Sequence, residues 1–196
     1  FIEARSGGEW APGSDVTGPV DIEVTVHAPS WIVVDTLRAD HVGNYGYGPE
    51  TTPNIDAVAA EGVAFEVAYA PMGTTTPSHG ALFTSKEPLD LGLVRNGLSL
   101  SEDAVTLAEI LQRNGYRTAG FVSSYPVSSR FGMAQGFEHF DDEFSIATSR
   151  VRDARWEKLR VDGGFDRDAR ATVGAALAWL RAESPVSPLF LLSLIH

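Results

Sequence analysis

The sequence lacks cysteine altogether: none of its 196 residues is one. This excludes a disulfide, a thiolate zinc site and a cysteine nucleophile, but it leaves the cellular compartment open. Basic residues are also scarce, with 15 Lys and Arg against 26 Asp and Glu, a net charge of −11 and a pI of about 4.8. This balance argues against a nucleic-acid partner. No apolar run is long enough to cross a membrane, so we expect no membrane segment in this chain.

The rest of the composition is that of an ordinary globular protein, with enough chain for one domain and its core. The chain begins at Phe1 rather than Met and stops at His196, inside an apolar run that starts at Leu189. We therefore expect a fragment at both ends, with a signal peptide among the segments that could precede it. The oligomeric state is not readable from the sequence.

Two parts of unequal size are expected. Residues 1–29 read as an N-terminal tail followed by an edge strand at 20–26, where apolar and polar residues alternate. From residue 30 onward strands alternate with helices, which predicts an α/β fold with a mostly parallel sheet flanked by helices. The expected strands are 31–34, 63–69, 117–122 and 189–195, and the expected helices are 53–61, 77–84, 101–115 and 166–183.

A run of threonines precedes one of these helices. Pro77 suits a first helical turn and Thr76 is a fair N-cap, which places Thr75 at the mouth of the helix. Free N–H groups and the positive end of the helix dipole favour an anion there. A hydroxyl beside an anion site is how a nucleophile meets a sulfate or phosphate ester. Because threonine caps are common, the alternative is a capped surface helix without chemistry.

An aspartate follows the apolar strand 31–34. Ligands gather beyond the carboxyl ends of strands in open α/β sheets, so Asp35 is well placed for function. The alternative is an aspartate that only caps the next turn.

Three stretches in this order and spacing resemble the N-terminal half of sulfatases, within the alkaline phosphatase superfamily: 32–41 (Ile-Val-Val-Asp-Thr-Leu-Arg-Ala-Asp-His), 52–56 (Thr-Pro-Asn-Ile-Asp) and 75–79 (Thr-Thr-Pro-Ser-His). The match extends through Thr106-Leu107-Ala108-Glu109 and Gln135-Gly136-Phe137. The resemblance implies that residues 30–196 are the N-terminal portion of a sulfatase-like catalytic domain. That domain is an alkaline phosphatase-like sandwich, which this chain would leave incomplete at its C-terminus.

The resemblance also implies a divalent metal site, for Ca²⁺ or for Mg²⁺ or Mn²⁺. The family places an acidic pair at the end of the first core strand, where this chain has Asp35 and then Thr36. A hard cation prefers several oxygen ligands, mostly carboxylates, so one carboxylate makes a weaker site unless Thr36 helps through its hydroxyl or a water. The remaining ligands are expected beyond residue 196.

The nucleophile position of the family's Cys/Ser-x-Pro-Ser-Arg signature falls on Thr75, and its arginine falls on His79. Many sulfatases oxidise that Cys or Ser to formylglycine, a route closed to threonine. A histidine is only partly charged near neutral pH, whereas arginine always carries its charge. His79 is expected either to orient Thr75 or contact a substrate oxygen, or to be a structural hydrogen-bonding histidine.

Three further residues are substrate-binding candidates by position. Asn96 matches an asparagine of related phosphonate and phosphodiester hydrolases, and Ser123 and Tyr125 lie where other sulfatases have Lys and His. The Gly-Lys-Trp-His motif that carries those two residues is absent here. Loop packing is the alternative role for each.

Together these features predict a metal-dependent hydrolase of sulfate or phosphate esters that acts on a small-molecule or glycan ester. The alternatives are a non-catalytic relative that binds an anion or sugar, and a phosphoryl-group transferase of the same superfamily. The fragment alone is expected to be inactive, and the family favours a periplasmic or extracellular location.

Overall fold

A computed structural model describes residues 29–144, 164–183 and 188–195, together with the backbone of four short strands outside them. The strands are β1 (Ile2–Ser6), β2 (Ile22–Val26), β3 (Ser30–Val34), β4 (Arg117–Val122), β5 (His139–Asp141), β6 (Arg155–Trp156), β7 (Leu159–Arg160) and β8 (Leu189–Ile195). The helices are α1 (Pro53–Glu61), α2 (Thr75–Thr84), α3 (Leu107–Arg113) and α4 (Ala169–Glu183). None of the described helices is both long and apolar enough to span a bilayer.

Four strands form the central sheet, in the order β3-β8-β4-β5, and every neighbouring pair is parallel. The predicted α/β fold with a mostly parallel sheet is therefore confirmed. The apolar runs of the two inner strands explain their position, because both faces of an inner strand are covered. Phe121 and Val122 of β4 and Phe190, Leu192 and Leu194 of β8 are all almost completely buried.

The predicted edge strand near residues 20–26 is present as β2, but it lies in a different sheet. It pairs antiparallel with β1 in a separate two-stranded sheet, and β1 falls within the stretch that we expected to be a tail. The edge strands of the four-stranded sheet are β3 and β5, and Ile32 of β3 is 72% exposed. A continuous apolar run such as 31–34 is typical of a strand covered on both faces. Among the described residues, however, one face of β3 is open.

The strand predicted at 63–69 is wrong. Its alternating apolar residues are typical of a strand, yet no strand is assigned there, and every residue from 61 to 71 is exposed. Val63 is 82% and Tyr69 91% exposed. A strand needs a hydrogen-bonded neighbour, and the described strands leave none beside this segment. The short strand β5 was missed in turn, because three residues carry too little pattern.

Helix α3 begins at Leu107 rather than near residue 101. Thr106 caps it, since its hydroxyl accepts the N–H of Glu109 at 3.2 Å and the Glu109 carboxylate accepts the N–H of Thr106 at 2.8 Å. This reciprocal capping box fixes the start six residues later than predicted.

Helix α4 begins at Ala169 rather than at 166. The helical spacing of Val173, Leu177 and Leu180 also predicts that these side chains form a buried stripe, and this prediction is wrong. Val173 and Leu177 are 40% and 44% exposed, whereas Thr172 and Ala176 are buried. Ala176 packs with Ala119 and Phe121 of β4. Small side chains at this contact let the helix lie close to the sheet. The turn predicted at 184–188 lies outside the described residues apart from Pro188, and so does the terminal His196.

Candidate active site

The carboxyl end of β3 and the start of α2 meet at one point of the sheet. Asp35 follows the last residue of β3, and its N–H continues the ladder by donating to the carbonyl of Ile195 at 3.0 Å. The Thr75 hydroxyl donates to Oδ2 of Asp35 at 3.2 Å. Two residues that the sequence singled out separately are therefore in direct contact, and both are half-buried.

The start of α2 differs by two residues from the prediction. Thr74 is the N-cap, with extended backbone angles (φ −128°, ψ 148°), and Thr75 is the first helical residue. Thr76 is therefore not the cap: it is fully buried, and its hydroxyl donates to the carbonyl of Pro126 at 2.8 Å. This bond fastens α2 to the turn after β4. Pro77 is still within the first turn, where its missing N–H does no harm.

The N-terminus of α2 offers fewer free N–H groups than the first turn of an ordinary α-helix. The N–H of Thr76 donates to Oδ1 of Asn96 at 2.8 Å, and that of Ser78 donates to the carbonyl of Thr74 at 3.3 Å. Pro77 has no N–H. Within the described part of the chain, the N–H of Thr75 alone is left without an acceptor in this first turn. Any anion beside the Thr75 hydroxyl would therefore meet one backbone donor.

His79 lies one turn further along α2 and is only 5% exposed. Its Nδ1 is 2.8 Å from the carbonyl oxygen of Thr75. Burial lowers the pKa of His79 below its ordinary value, although the bond to Thr75 and the nearby charge of Asp35 act in the opposite direction. The ring meets Phe83 edge-on. Its Nε2 is buried and has no hydrogen-bond partner among the described residues.

A cleft of about 650 Å³ runs along α2 beside these groups. Ser78 closes one wall, because its hydroxyl donates to the carbonyl of Met72 at 2.6 Å. Ser78 and Lys86 also line the cleft but were not predicted from the sequence. The available signal was helical spacing, since α2 residues three or four apart share a face. The lining residues include Val33, Asp35, Thr36, Leu37, Met72, Thr75, Ser78, His79, Leu82, Ser85 and Lys86.

The metal site expected at Asp35 and Thr36 is at most partial within the described residues. They contain no group of three or more His, Cys, Asp or Glu side chains that could hold an ion. Asp35 suits a hard cation, because Oδ1 accepts no hydrogen bond from the described residues. Thr36 is exposed and has a left-handed backbone (φ 60°), which is strained for a β-branched residue. One carboxylate and one hydroxyl supply only part of a coordination shell.

The three candidate substrate-binding residues lie in different surroundings. Asn96 is at the helix mouth, but its side-chain oxygen is taken by Thr76. Ser123 directly follows β4 and is completely buried, with a hydroxyl that has no partner among the described residues. Tyr125 is 9% exposed and packs against Phe131 and Phe165. None of the three lines the cleft, so their contact with a substrate stays a prediction.

The sulfatase family model matches residues 31–192. The chain belongs to the sulfatase family. Over 122 residues it is 40% identical to arylsulfatase A from Homo sapiens; the match covers 56% of this chain and 24% of that protein. The chain thus spans about a quarter of the length of this curated relative.

Solved structures show the same fold at lower identity. A protein solved with its substrate D-glucosamine-2-N,6-O-disulfate superposes with a TM-score of 0.68 at 20% identity, covering 86% of this chain and 34% of that one. A phosphonate monoester hydrolase of Agrobacterium radiobacter superposes with a TM-score of 0.64 at 18% identity, covering 87% of this chain and 40% of that one. At these identities, both similarities show a shared fold only.

Proposed function

We propose that this chain is the N-terminal portion of a metal-dependent hydrolase of the sulfatase type, which cleaves sulfate or phosphate esters with Thr75 as nucleophile. One observation carries the proposal: the Thr75 hydroxyl lies 3.2 Å from Oδ2 of Asp35. The pair sits beside a cleft at the carboxyl end of a parallel sheet. Membership in the sulfatase family supports ester hydrolysis as the reaction class.

In the proposed first step, Oγ1 of Thr75 attacks the sulfur or phosphorus atom of the ester. The hydroxyl proton passes to Oδ2 of Asp35, and the bond to the leaving oxygen breaks. That oxygen leaves with the electron pair and is protonated by solvent. The N–H of Thr75 is placed to hold charge that develops on the ester oxygens. Water then attacks the sulfur or phosphorus atom of the threonine ester, and the bond to Oγ1 breaks. Asp35 returns its proton to Oγ1, the sulfate or phosphate group is released, and the surplus proton of the water passes to solvent.

Asp35, helped by Thr36, is the part of the metal site that these residues could supply, and the other ligands would come from outside the described residues. A bound Ca²⁺, Mg²⁺ or Mn²⁺ supplies positive charge that polarises the ester oxygens. Asp35 would hold such an ion through Oδ1 while Oδ2 keeps its bond to Thr75.

The chemistry of threonine favours phosphate over sulfate esters. A formylglycine hydrate can expel its sulfate by elimination, but a threonine ester can be cleaved only by attack on the ester itself. Phosphate mono- or diesters are therefore the preferred substrates. Transfer of the phosphoryl group to an alcohol instead of water would make the same site a transferase.

The test uses the complete polypeptide that carries these residues. It should hydrolyse an aryl phosphodiester faster than the matched aryl sulfate. Thr75→Ala should abolish turnover, while Thr75→Ser keeps a hydroxyl at the same position and should retain part of it. Equal rates before and after Thr75→Ala would remove Thr75 from the mechanism.

A non-catalytic protein that binds an anion or sugar is the second candidate. The observation in its favour is that Thr36, Thr75 and His79 all differ from the residues that the family's catalytic signature has at these positions. Titration of the complete polypeptide with Ca²⁺ or Mn²⁺ separates the two, since an ion that binds the folded state raises its melting temperature. No rise in melting temperature, with no turnover, would favour the binding protein.

A further inference from the structure

The hydrogen bonding of His79 determines the tautomer of its neutral ring. Its Nδ1 lies 2.8 Å from the backbone carbonyl of Thr75, and a carbonyl oxygen can only accept a hydrogen bond. Nδ1 therefore carries the proton and donates it. In a neutral ring the other nitrogen, Nε2, is then an acceptor whose lone pair meets no donor among the described residues.

The surroundings of the ring keep it neutral. His79 is 5% exposed, and no carboxylate is hydrogen-bonded to it among the described residues: the ring bonds to the carbonyl oxygen of Thr75. A proton on Nε2 would create a buried cation with an unpaired donor, which is costly. The lowered pKa of His79 agrees with this arrangement.

A buried hydrogen-bond acceptor without a donor is energetically unfavourable. Buried polar atoms are nearly always hydrogen-bonded, so an exception at a candidate site points to a missing ligand. Nε2 of His79 is such an exception, and His79 lines the same cleft as the Thr75 hydroxyl. A tetrahedral group attacked by Thr75 would occupy that cleft, one helical turn from His79.

We propose that Nε2 of His79 accepts a hydrogen bond from a hydroxyl on the tetrahedral centre of the ligand, so that the site selects a protonated phosphate or phosphonate monoester over a sulfate ester. The inference rests on the proposed function and narrows its substrate class. The second pKa of a phosphate monoester is about 6. A substantial fraction of the ester molecules therefore keeps a P–OH donor close to neutral pH. A sulfate ester has no proton to donate, and its oxygens would face the lone pair of Nε2.

The first test measures binding and needs no turnover. Inorganic phosphate and sulfate are titrated by calorimetry into the complete polypeptide at pH 6.5, with a chelator present so that metal binding plays no part. We expect phosphate to bind about tenfold more tightly, the effect of one hydrogen bond gained and one repulsion avoided. Sulfate binding as tight as phosphate binding would overturn the proposal.

Two variants assign the preference to the ring nitrogen. His79→Phe keeps a ring of similar shape without the acceptor. Phosphate affinity should therefore fall and sulfate affinity rise, so that the roughly tenfold preference for phosphate disappears. His79→Arg replaces the acceptor with charged donors and should favour sulfate. If His79→Phe does not fold, His79→Arg and the wild-type ratio still decide. An unchanged phosphate-to-sulfate ratio in either folded variant would contradict the assignment.

Turnover separates this inference from the proposed function. Wild-type protein should cleave an aryl phosphate monoester faster than the matched methyl aryl diester, which has no P–OH. Turnover of the diester that depends on Thr75, without any monoester or phosphate preference, would overturn this inference and leave the hydrolase standing. A phosphate preference that depends on His79, without turnover, would overturn the hydrolase and leave the selectivity standing.

Discussion

The hydroxyl of Thr75 donates a hydrogen bond to Oδ2 of Asp35 over 3.2 Å, although the two residues are 40 positions apart in the chain. The contact exists because one residue opens a helix and the other closes a parallel strand. Both elements deliver those ends to the same edge of the sheet. The proposed nucleophile and its proposed proton acceptor are thereby held by regular structure rather than by a loop, which reduces the cost of orienting them.

Asn96 should stabilise the start of α2. Its Oδ1 accepts a hydrogen bond from the N–H of Thr76 at 2.8 Å, as the side chain of an N-cap residue normally does. The side chain of Thr74, which is the N-cap residue, makes no such bond. Asn96→Ala should lower the free energy of unfolding by about 1 kcal/mol. Asn96→Asp keeps the acceptor and should unfold like the wild type in urea. Equal losses for both variants would show that the amide acts elsewhere.

His79 should make stability depend on pH. Because burial lowers the pKa of folded His79, the unfolded chain takes up the proton first as the pH falls below about 6.5. Stability is therefore greatest above that value and decreases toward lower pH, by at most about 1.4 kcal/mol per pH unit from this one group. Urea unfolding between pH 8 and 5, with a chelator present, measures it.

The matched control for this pH dependence is His79→Phe, which removes the titrating ring and leaves the other four histidines in place. The difference between the two stability profiles isolates His79 from the carboxyl groups that titrate in the same range. Parallel profiles would mean that the folded protein protonates His79 as readily as the unfolded chain does.

The free side of β3 should promote aggregation of the 196-residue chain. It is an edge strand of the described sheet, and Ile32 is 72% exposed on it. Natural edge strands are protected by charges such as lysine, so Ile32→Lys should lower light scattering at a given protein concentration. Ile32→Val keeps an apolar β-branched residue and should scatter like the wild type. Equal scattering by all three proteins would place the aggregating surface elsewhere.

Local patterns were enough to predict several elements. The continuous apolar runs of β3 and β8 and the Pro53 start and Gly62 end of α1 were all recognised, because each signal lies within the element itself. The segment 63–69 failed for the opposite reason. Its alternation is compatible with a strand, but strand formation depends on a neighbour that the segment's own residues do not specify.

The candidate site, like the fold, was predictable only where the signal lies within one helix or strand. Asp35 and Thr75 were found because each follows from the end of a regular element. The bond from Thr76 to Asn96 and the unpaired Nε2 of His79 were not, since both depend on how a loop and a buried ring pack around α2. The cap itself was misplaced by two residues because Thr74 and Thr76 have the same side chain, and only the backbone angles distinguish their roles.

Thr36 offers a direct test of the proposed metal site. Its left-handed backbone (φ 60°) disfavours a β-branched residue, whereas Asp and Asn tolerate this region. Thr36→Asp and Thr36→Asn should therefore both gain stability, by about 1 kcal/mol. Only Thr36→Asp adds a carboxylate beside Asp35, so it alone should bind Mn²⁺ or Ca²⁺ more tightly in calorimetric titrations of the complete polypeptide. Equal gains in metal affinity for both variants would indicate that backbone relief, not a second carboxylate, limits the site, and no gain for Thr36→Asp would argue against a cation at Asp35.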